Sequence, residues 1–174
     1  MNLDNSGRTG NEYDTWILLS RVYHMIANLR RMELAKYEIL PVQAYVLLVI
    51  DRLGNDVSPS ELSRYVYQQK STVSDILNRM VKQGLIKKSQ SLNGKSRVSI
   101  RLTGKGKQVL KLSGDREHLH TIMSRLSPRK TAQLISCLKI LRDCAVQQLS
   151  LHDKRGSQAT QVSKYFHQKN VFER

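Results

Sequence analysis

Residues 58–89 read SPSELSRYVYQQKSTVSDILNRMVKQGLIKKS. The start is a compact helix signal: Ser58 can cap, Pro59 suits the first helical position, and Glu61 can reach back to the N–H of the cap. That predicts a short helix to about Val66. After Tyr67-Gln68-Gln69-Lys70, the apolar residues Val73, Ile76, Leu77, Met80 and Val81 recur with the spacing of one helical face. Ser71, Thr72, Ser74, Asp75, Asn78, Arg79 and Lys82 remain as polar positions off that stripe, and Gly84 can stop the helix in a left-handed conformation. A short helix, a tight turn and an amphipathic helix with a polar outer face form a helix-turn-helix.

Downstream, Leu85–Ser89 and Arg97–Leu102 flank a polar loop in which Asn93-Gly94 suits a tight turn, so a basic β-hairpin is expected. Thr103 can cap a further helix carrying Val109, Leu110, Leu119, Ile122, Met123 and Leu126, with Gly114 as a candidate bend. Ser127-Pro128 repeats the cap-then-proline signal. The helix it opens runs to about Leu151, with Leu134, Leu138, Leu141, Ala145 and Leu149 forming a narrow seam near heptad spacing. Such a seam calls for a partner helix. Upstream, residues 13–36 carry Trp16, Ile17, Leu19, Tyr23, Ile26, Ala27 and Leu34 at helical spacing, and Pro41 opens a helix that ends near Leu53-Gly54. Asn55-Asp56 reads as a turn.

The expected fold is mainly α with a small β-hairpin wing: a winged helix-turn-helix lobe plus a helical dimerisation region. The expected boundaries are a flexible tail over 1–12, a domain over 13–151 and a basic C-terminal tail over 152–174. Within the domain, 41–103 form the lobe, and 13–40 with 104–151 form the dimerisation helices.

Charge points to the partner. The 174 residues carry 29 Lys and Arg against 14 Asp and Glu, a formal net charge of +15. Residues 58–107 hold eleven of the basic residues but only Glu61 and Asp75 as acids. A cationic surface of this kind suits a polyanion. In a winged helix-turn-helix the second helix enters the major groove, where short polar groups read base edges. Ser71, Thr72, Ser74, Asp75 and Asn78 are the candidates for that reading. Lys70 at the helix start, with Arg79 and Lys82 further along, suits phosphates. From the wing, Lys87, Lys88, Lys95, Arg97 and Arg101 can track the backbone, with Lys95 or Arg97 at a minor groove.

The stretch 58–89, followed by SIRLTGKGKQVL at 99–110, resembles the MarR family of bacterial regulators. The shared marks are Ser-Thr-Val-Ser opening the second helix, Gly-Leu-Ile ending it and Leu-Thr-x-x-Gly after the wing. With the flanking helices the resemblance covers about residues 13–150. It implies a homodimer built through the first, fifth and sixth of these expected helices, with two lobes binding double-stranded DNA at a pseudo-palindromic operator, as a repressor relieved by a small-molecule effector. Family wings usually carry Asp-x-Arg where this chain has Gly94 and Ser96, so the role of the wing arginine would pass to Lys95 or Arg97. Asp75 stands where many members place a basic or neutral residue. It can accept from a cytosine amino group or pair with Arg79 one turn away.

Other features admit two readings. Trp16, Tyr23, His24 and Tyr37 are candidates to line the effector pocket that the resemblance implies, or are ordinary core packing. Cys137 and Cys144, seven apart, are an oxidation switch or packed, inert thiols. His118 and His120, near Asp115 and Glu117, are a metal sensor or a solvated helix face; the i, i+2 spacing splits the imidazoles between faces. No metal or other cofactor is called for. Enzyme classes find no support, since no nucleophile elbow, phosphate-binding glycine loop, zincin motif or spaced carboxylate cluster occurs. No apolar run approaches a membrane span and the opening Met1–Asn11 is polar, so a cytoplasmic protein without membrane attachment is expected. The rival reading is a sequence-independent architectural or RNA-binding protein using the same charge.

Overall fold

The computed structural model describes residues 6–54, 57–66, 68–90 and 98–154. Seven helices and one hairpin follow in the order α1 (Ser6–Ala35), α2 (Pro41–Leu53), α3 (Pro59–Tyr65), α4 (Lys70–Lys82), β1 (Ile86–Gln90), β2 (Val98–Leu102), α5 (Gly104–Leu112), α6 (Glu117–Met123) and α7 (Pro128–Lys154). Among the described residues the protein is therefore mainly helical with a two-stranded antiparallel sheet.

Local signals explain most of the boundaries. At α3, Ser58 Oγ accepts the Glu61 N–H at 3.2 Å while the Ser58 N–H donates to Glu61 Oε2 at 2.8 Å, with Pro59 at the first helical position. At the end of α4, Gly84 adopts φ +69°. There the Leu85 N–H reaches the Met80 carbonyl and the Gly84 N–H the Val81 carbonyl, both at 2.9 Å. This is the Schellman arrangement, in which a left-handed residue lets the chain satisfy the last helical carbonyls and turn away. It delivers the chain directly into β1.

The Leu-Thr-x-x-Gly sequence has an equally physical basis. Thr103 Oγ1 accepts the Gly106 N–H at 3.0 Å, capping α5, and donates to the Gly84 carbonyl at 2.6 Å. Gly106 is buried so tightly on the start of β1 that a Cβ there would overlap the Leu85 carbonyl. These contacts lock α5 to the joint between α4 and the hairpin.

The hydrophobic core lies in the lobe. Leu34, Leu47, Ile50, Leu62, Leu77, Met80, Leu85, Ile86 and Ile100 are among its fully buried side chains, drawn from α1 to β2. Val57 extends the sheet edge, accepting the Ile100 N–H at 2.9 Å. No side chain described in α6 or α7 is fully buried. On α7, Leu134, Ile135, Leu138, Ile140 and Leu141 are exposed, and so are Tyr13, Trp16, Leu18, Leu19, Val22, Tyr23, Met25 and Met32 of α1. Both long helices thus carry many exposed large apolar residues.

Two elements differ from expectation. α1 starts at Ser6 and not at Tyr13, because a polar helical turn leaves no apolar periodicity to read. The single helix expected after Thr103 is two, α5 and α6, separated at Ser113–Arg116. The bend expected at Gly114 is thus a full interruption.

Candidate nucleic-acid interface

α4 is anchored from beneath. Val73 and Leu77 are 1% exposed and Met80 is fully buried against α3 and β1. Since that stripe cannot rotate without emptying the core, the opposite face is fixed outward. Lys70, Ser71, Thr72, Ser74, Asp75, Asn78, Arg79 and Lys82 are all exposed on it. Gln69, at the cap, makes no side-chain bond to the first turn, and exposed Lys70 follows it. Unlinked N–H groups at a helix start attract anions. Asp75 and Arg79 form no ion pair with each other among the described contacts.

The hairpin lies beside this face. Lys88 Nζ donates to Asn78 Oδ1 at 2.7 Å, joining strand and helix into one polar surface. Lys87 and Arg101 stand directly opposite each other in the ladder. Lys105, two residues past the Thr103 cap, donates to the Gln83 carbonyl at 2.9 Å and adds a cation at the end of α4. Its place in the first turn of α5, twenty-two residues beyond Gln83, gives no local sign of that contact. Lys95 and Arg97, with the Asn93-Gly94 turn, lie outside the described residues, as do Tyr67, the Asn55-Asp56 turn and tail residues 155–174.

The four residues expected at an effector pocket are not brought together. Trp16, Tyr23 and His24 lie on the exposed side of α1, where Trp16 meets Tyr13 with ring centroids 5.6 Å apart and Tyr23 meets His24 at 5.5 Å. Tyr37 packs on the lobe core, and its hydroxyl donates to the Leu112 carbonyl at 2.8 Å. The physical reason is that Trp16 and Tyr23, seven residues apart, share a stripe of α1 that is left exposed by the described residues.

A half-open cavity of about 340 Å³ lies elsewhere, between α1, α2 and α6. Ile26, Leu29, Ala44, Tyr45, Leu48, Leu119 and Ile122 give it an apolar lining, and Arg30, Glu33, Arg52, Arg116 and His118 supply its charged and polar groups. Arg30 is already engaged: it donates to Glu33 Oε2 at 2.8 Å and to the Asp115 carbonyl at 3.0 Å. Glu33 is half-buried, which by itself raises its pKa. The Arg30 hydrogen bond, the His118 N–H and the neighbouring positive charge outweigh that burial and hold it below the ordinary 4.5.

The seam residues Leu134, Leu138, Leu141 and Ala145 are exposed along α7, and Leu149 is half-buried. Ile135, 48% exposed, and Ile140, 60% exposed, widen the apolar surface beyond the narrow expected seam. Cys137 and Cys144 are free and exposed. Among the described residues no group of three or more His, Cys, Asp or Glu could hold a metal ion, and no helix is long and apolar enough to cross a membrane.

Comparison with known proteins agrees with this architecture. Residues 37–95 match the sequence model of the MarR family. No curated protein sequence matches the chain. Among solved structures, the ligand-free form of the organohalide-sensing transcriptional regulator RdhR-CbdbA1625 superposes with a TM-score of 0.74 at 23% identity, covering 92% of this chain and 95% of that one. The S. aureus MepR–DNA complex gives 0.71 at 19% identity, covering 78% and 99%. A mutant MarR from E. coli complexed with operator DNA gives 0.63 at 21% identity, covering 74% and 96%. Residues 37–95 thus match the sequence model of the MarR family, and the described residues share the fold of these solved regulators.

Proposed function

We propose that this chain is a sequence-specific regulator of transcription that binds double-stranded DNA as a homodimer at a pseudo-palindromic operator, acting as a repressor. The observation that carries the reading is the α4 face: eight polar or charged side chains held outward by a buried Val73, Leu77 and Met80 stripe, with a basic hairpin alongside. In this reading Ser71, Thr72, Ser74, Asp75 and Asn78 face base edges. Lys70, Arg79, Lys82, Lys87, Lys88 and Arg101 meet phosphates, and Lys95 and Arg97 belong to the tip of the wing. The lobe spans 41–103. Residues 13–40 and 104–151 dimerise, with Leu134, Leu138, Leu141, Ala145 and Leu149 at the interface together with the apolar face of α1. No catalytic activity is assigned.

The 340 Å³ cavity is the effector site in this reading, in place of the Trp16, Tyr23, His24 and Tyr37 cluster. Its apolar floor and arginine rim suit a small amphipathic anion, and a solved structure of the same fold holds 2,4-dichlorophenol.

Selection of duplexes from a random library, followed by fluorescence anisotropy of selected against scrambled duplex over a salt series, tests the proposal. Specific regulators prefer their sites by about 10³-fold or more. Equal affinities with one steep salt slope would favour the sequence-independent architectural or RNA-binding alternative.

A further inference from the structure

α5 ends at Leu112 and α6 starts at Glu117, although no proline separates them. A break of this kind strands carbonyls at the end of one helix and N–H groups at the start of the next. α1 supplies partners for both. Arg30 donates to the carbonyls of Ser113 and Asp115, while Glu33 Oε1 accepts the His118 N–H at 2.9 Å. The two side chains also bond each other at 2.8 Å and are only 18% and 12% exposed. Polarity is matched at both ends: the cation meets the carbonyl end of α5 and the carboxylate meets the N–H end of α6.

Position gives this clamp its consequence. α5 continues from β2 and packs on the hairpin and α2, whereas α6 packs on α1. α1 also packs on α2 and buries Leu34 in the lobe core, so the α5–α6 joint is a second tie between the winged lobe and the long α1 helix.

We propose that Arg30 and Glu33 are a positioning pair that sets the lobe against the dimer frame, and thereby the separation of the two α4 helices in a dimer. The inference rests on the dimeric DNA-binding reading above. Neither residue touches DNA, so loss of the clamp weakens binding to two half-sites at once and leaves binding to a single half-site intact. Because both residues also line the cavity, an anion drawn to Arg30 there acts on the same joint.

The experiment uses the full chain with Arg30→Met, Glu33→Gln and the swapped double variant Arg30→Glu/Glu33→Arg. Anisotropy is read on a two-half-site duplex selected by the unaltered protein and on a single half-site. Arg30→Met is expected to lower two-site affinity about tenfold, within the usual range of coupling between sites, with half-site affinity unchanged within about twofold. Glu33→Gln keeps an oxygen that accepts the His118 N–H, and its loss is smaller. The swapped pair does not recover, because it aims a carboxylate at carbonyls and a guanidinium at an N–H. Two-site affinity unchanged in Arg30→Met, equal losses on both duplexes, or full recovery in the swapped variant would each overturn the proposal. If the unaltered protein itself shows no advantage on two half-sites, the dimeric reading fails and the clamp's role falls with it.

Discussion

Gln83, at the end of α4, holds that helix to the α1–α2 joint, and its replacement by Ala has a cost that follows from the bonds it makes. Gln43 Nε2 donates to Gln83 Oε1 at 2.7 Å, and Gln83 Nε2 donates to the Glu38 carbonyl at 3.0 Å. Gln43 is 4% exposed and its own oxygen is committed to the Leu40 N–H at 2.9 Å. Gln83→Ala therefore strands a buried amide donor, at about 1–3 kcal/mol, while water replaces the bond to the exposed Glu38 turn for about 0.5 kcal/mol or less. The expected loss is about 2 kcal/mol, or roughly 4–8 °C in Tm for a chain of this size. Urea unfolding at one fixed protein concentration measures it, since the stability of a dimer, as proposed here, depends on concentration. In the Gln43→Met/Gln83→Met double variant neither member of the bonded pair is left facing a polar group without its partner. It should cost about 1 kcal/mol less than the two single Met variants added together. A Gln83→Ala protein within about 0.5 kcal/mol of the parent, or strictly additive single and double variants, would refute the reasoning.

Three further outcomes are expected. Gly106→Ala drives a methyl into the Leu85 carbonyl and should destabilise the lobe by about 1–3 kcal/mol in thermal melts; a neutral result would mean that the α5–β1 contact is loose. Glu33, with a folded pKa below its ordinary 4.5, contributes stability that is present above that value and lost as pH falls through the folded pKa. Glu33→Gln should accordingly flatten the decline of Tm below about pH 4.5, and an unchanged acid limb would contradict that linkage. Arg79→Ala and Lys82→Ala should each reduce the slope of log affinity against log salt by about 0.9 while leaving base preference intact, whereas Asn78→Ala should relax preference at one position by about 1–3 kcal/mol.

Much of the lobe is legible from local chemistry. Ser58, Pro59 and Glu61 announce α3, the Val73 to Met80 stripe fixes which face of α4 turns outward, Gly84 marks the end of α4, and Thr103 caps α5 through the nearby Gly106 N–H. The candidate α4 face follows from the same stripe, since burying one side of a helix determines the other. What escaped sequence reading depends on residues far apart in the chain. The α5–α6 interruption is held by Arg30 and Glu33, more than eighty residues earlier, and nothing at Ser113–Arg116 announces those partners. The cavity is formed by Ile26, Leu29, Arg30 and Glu33, whose three- and four-residue spacing reads only as one side of a helix until α6 is placed against it. Trp16 and Tyr23 drew attention as aromatics on that same helix, but their stripe faces away from the chain's own core. His118 acts through its backbone N–H, which no pattern of side chains can reveal.

The central claim is that two α4 helices, related by a dyad, read the two halves of one site. Hydroxyl-radical footprinting of the full-length protein on its selected duplex tests it most directly. The account predicts two protected half-sites of inverted sequence, centred about one helical turn of DNA apart. A single asymmetric protected segment, or uniform protection without sequence preference, would contradict it.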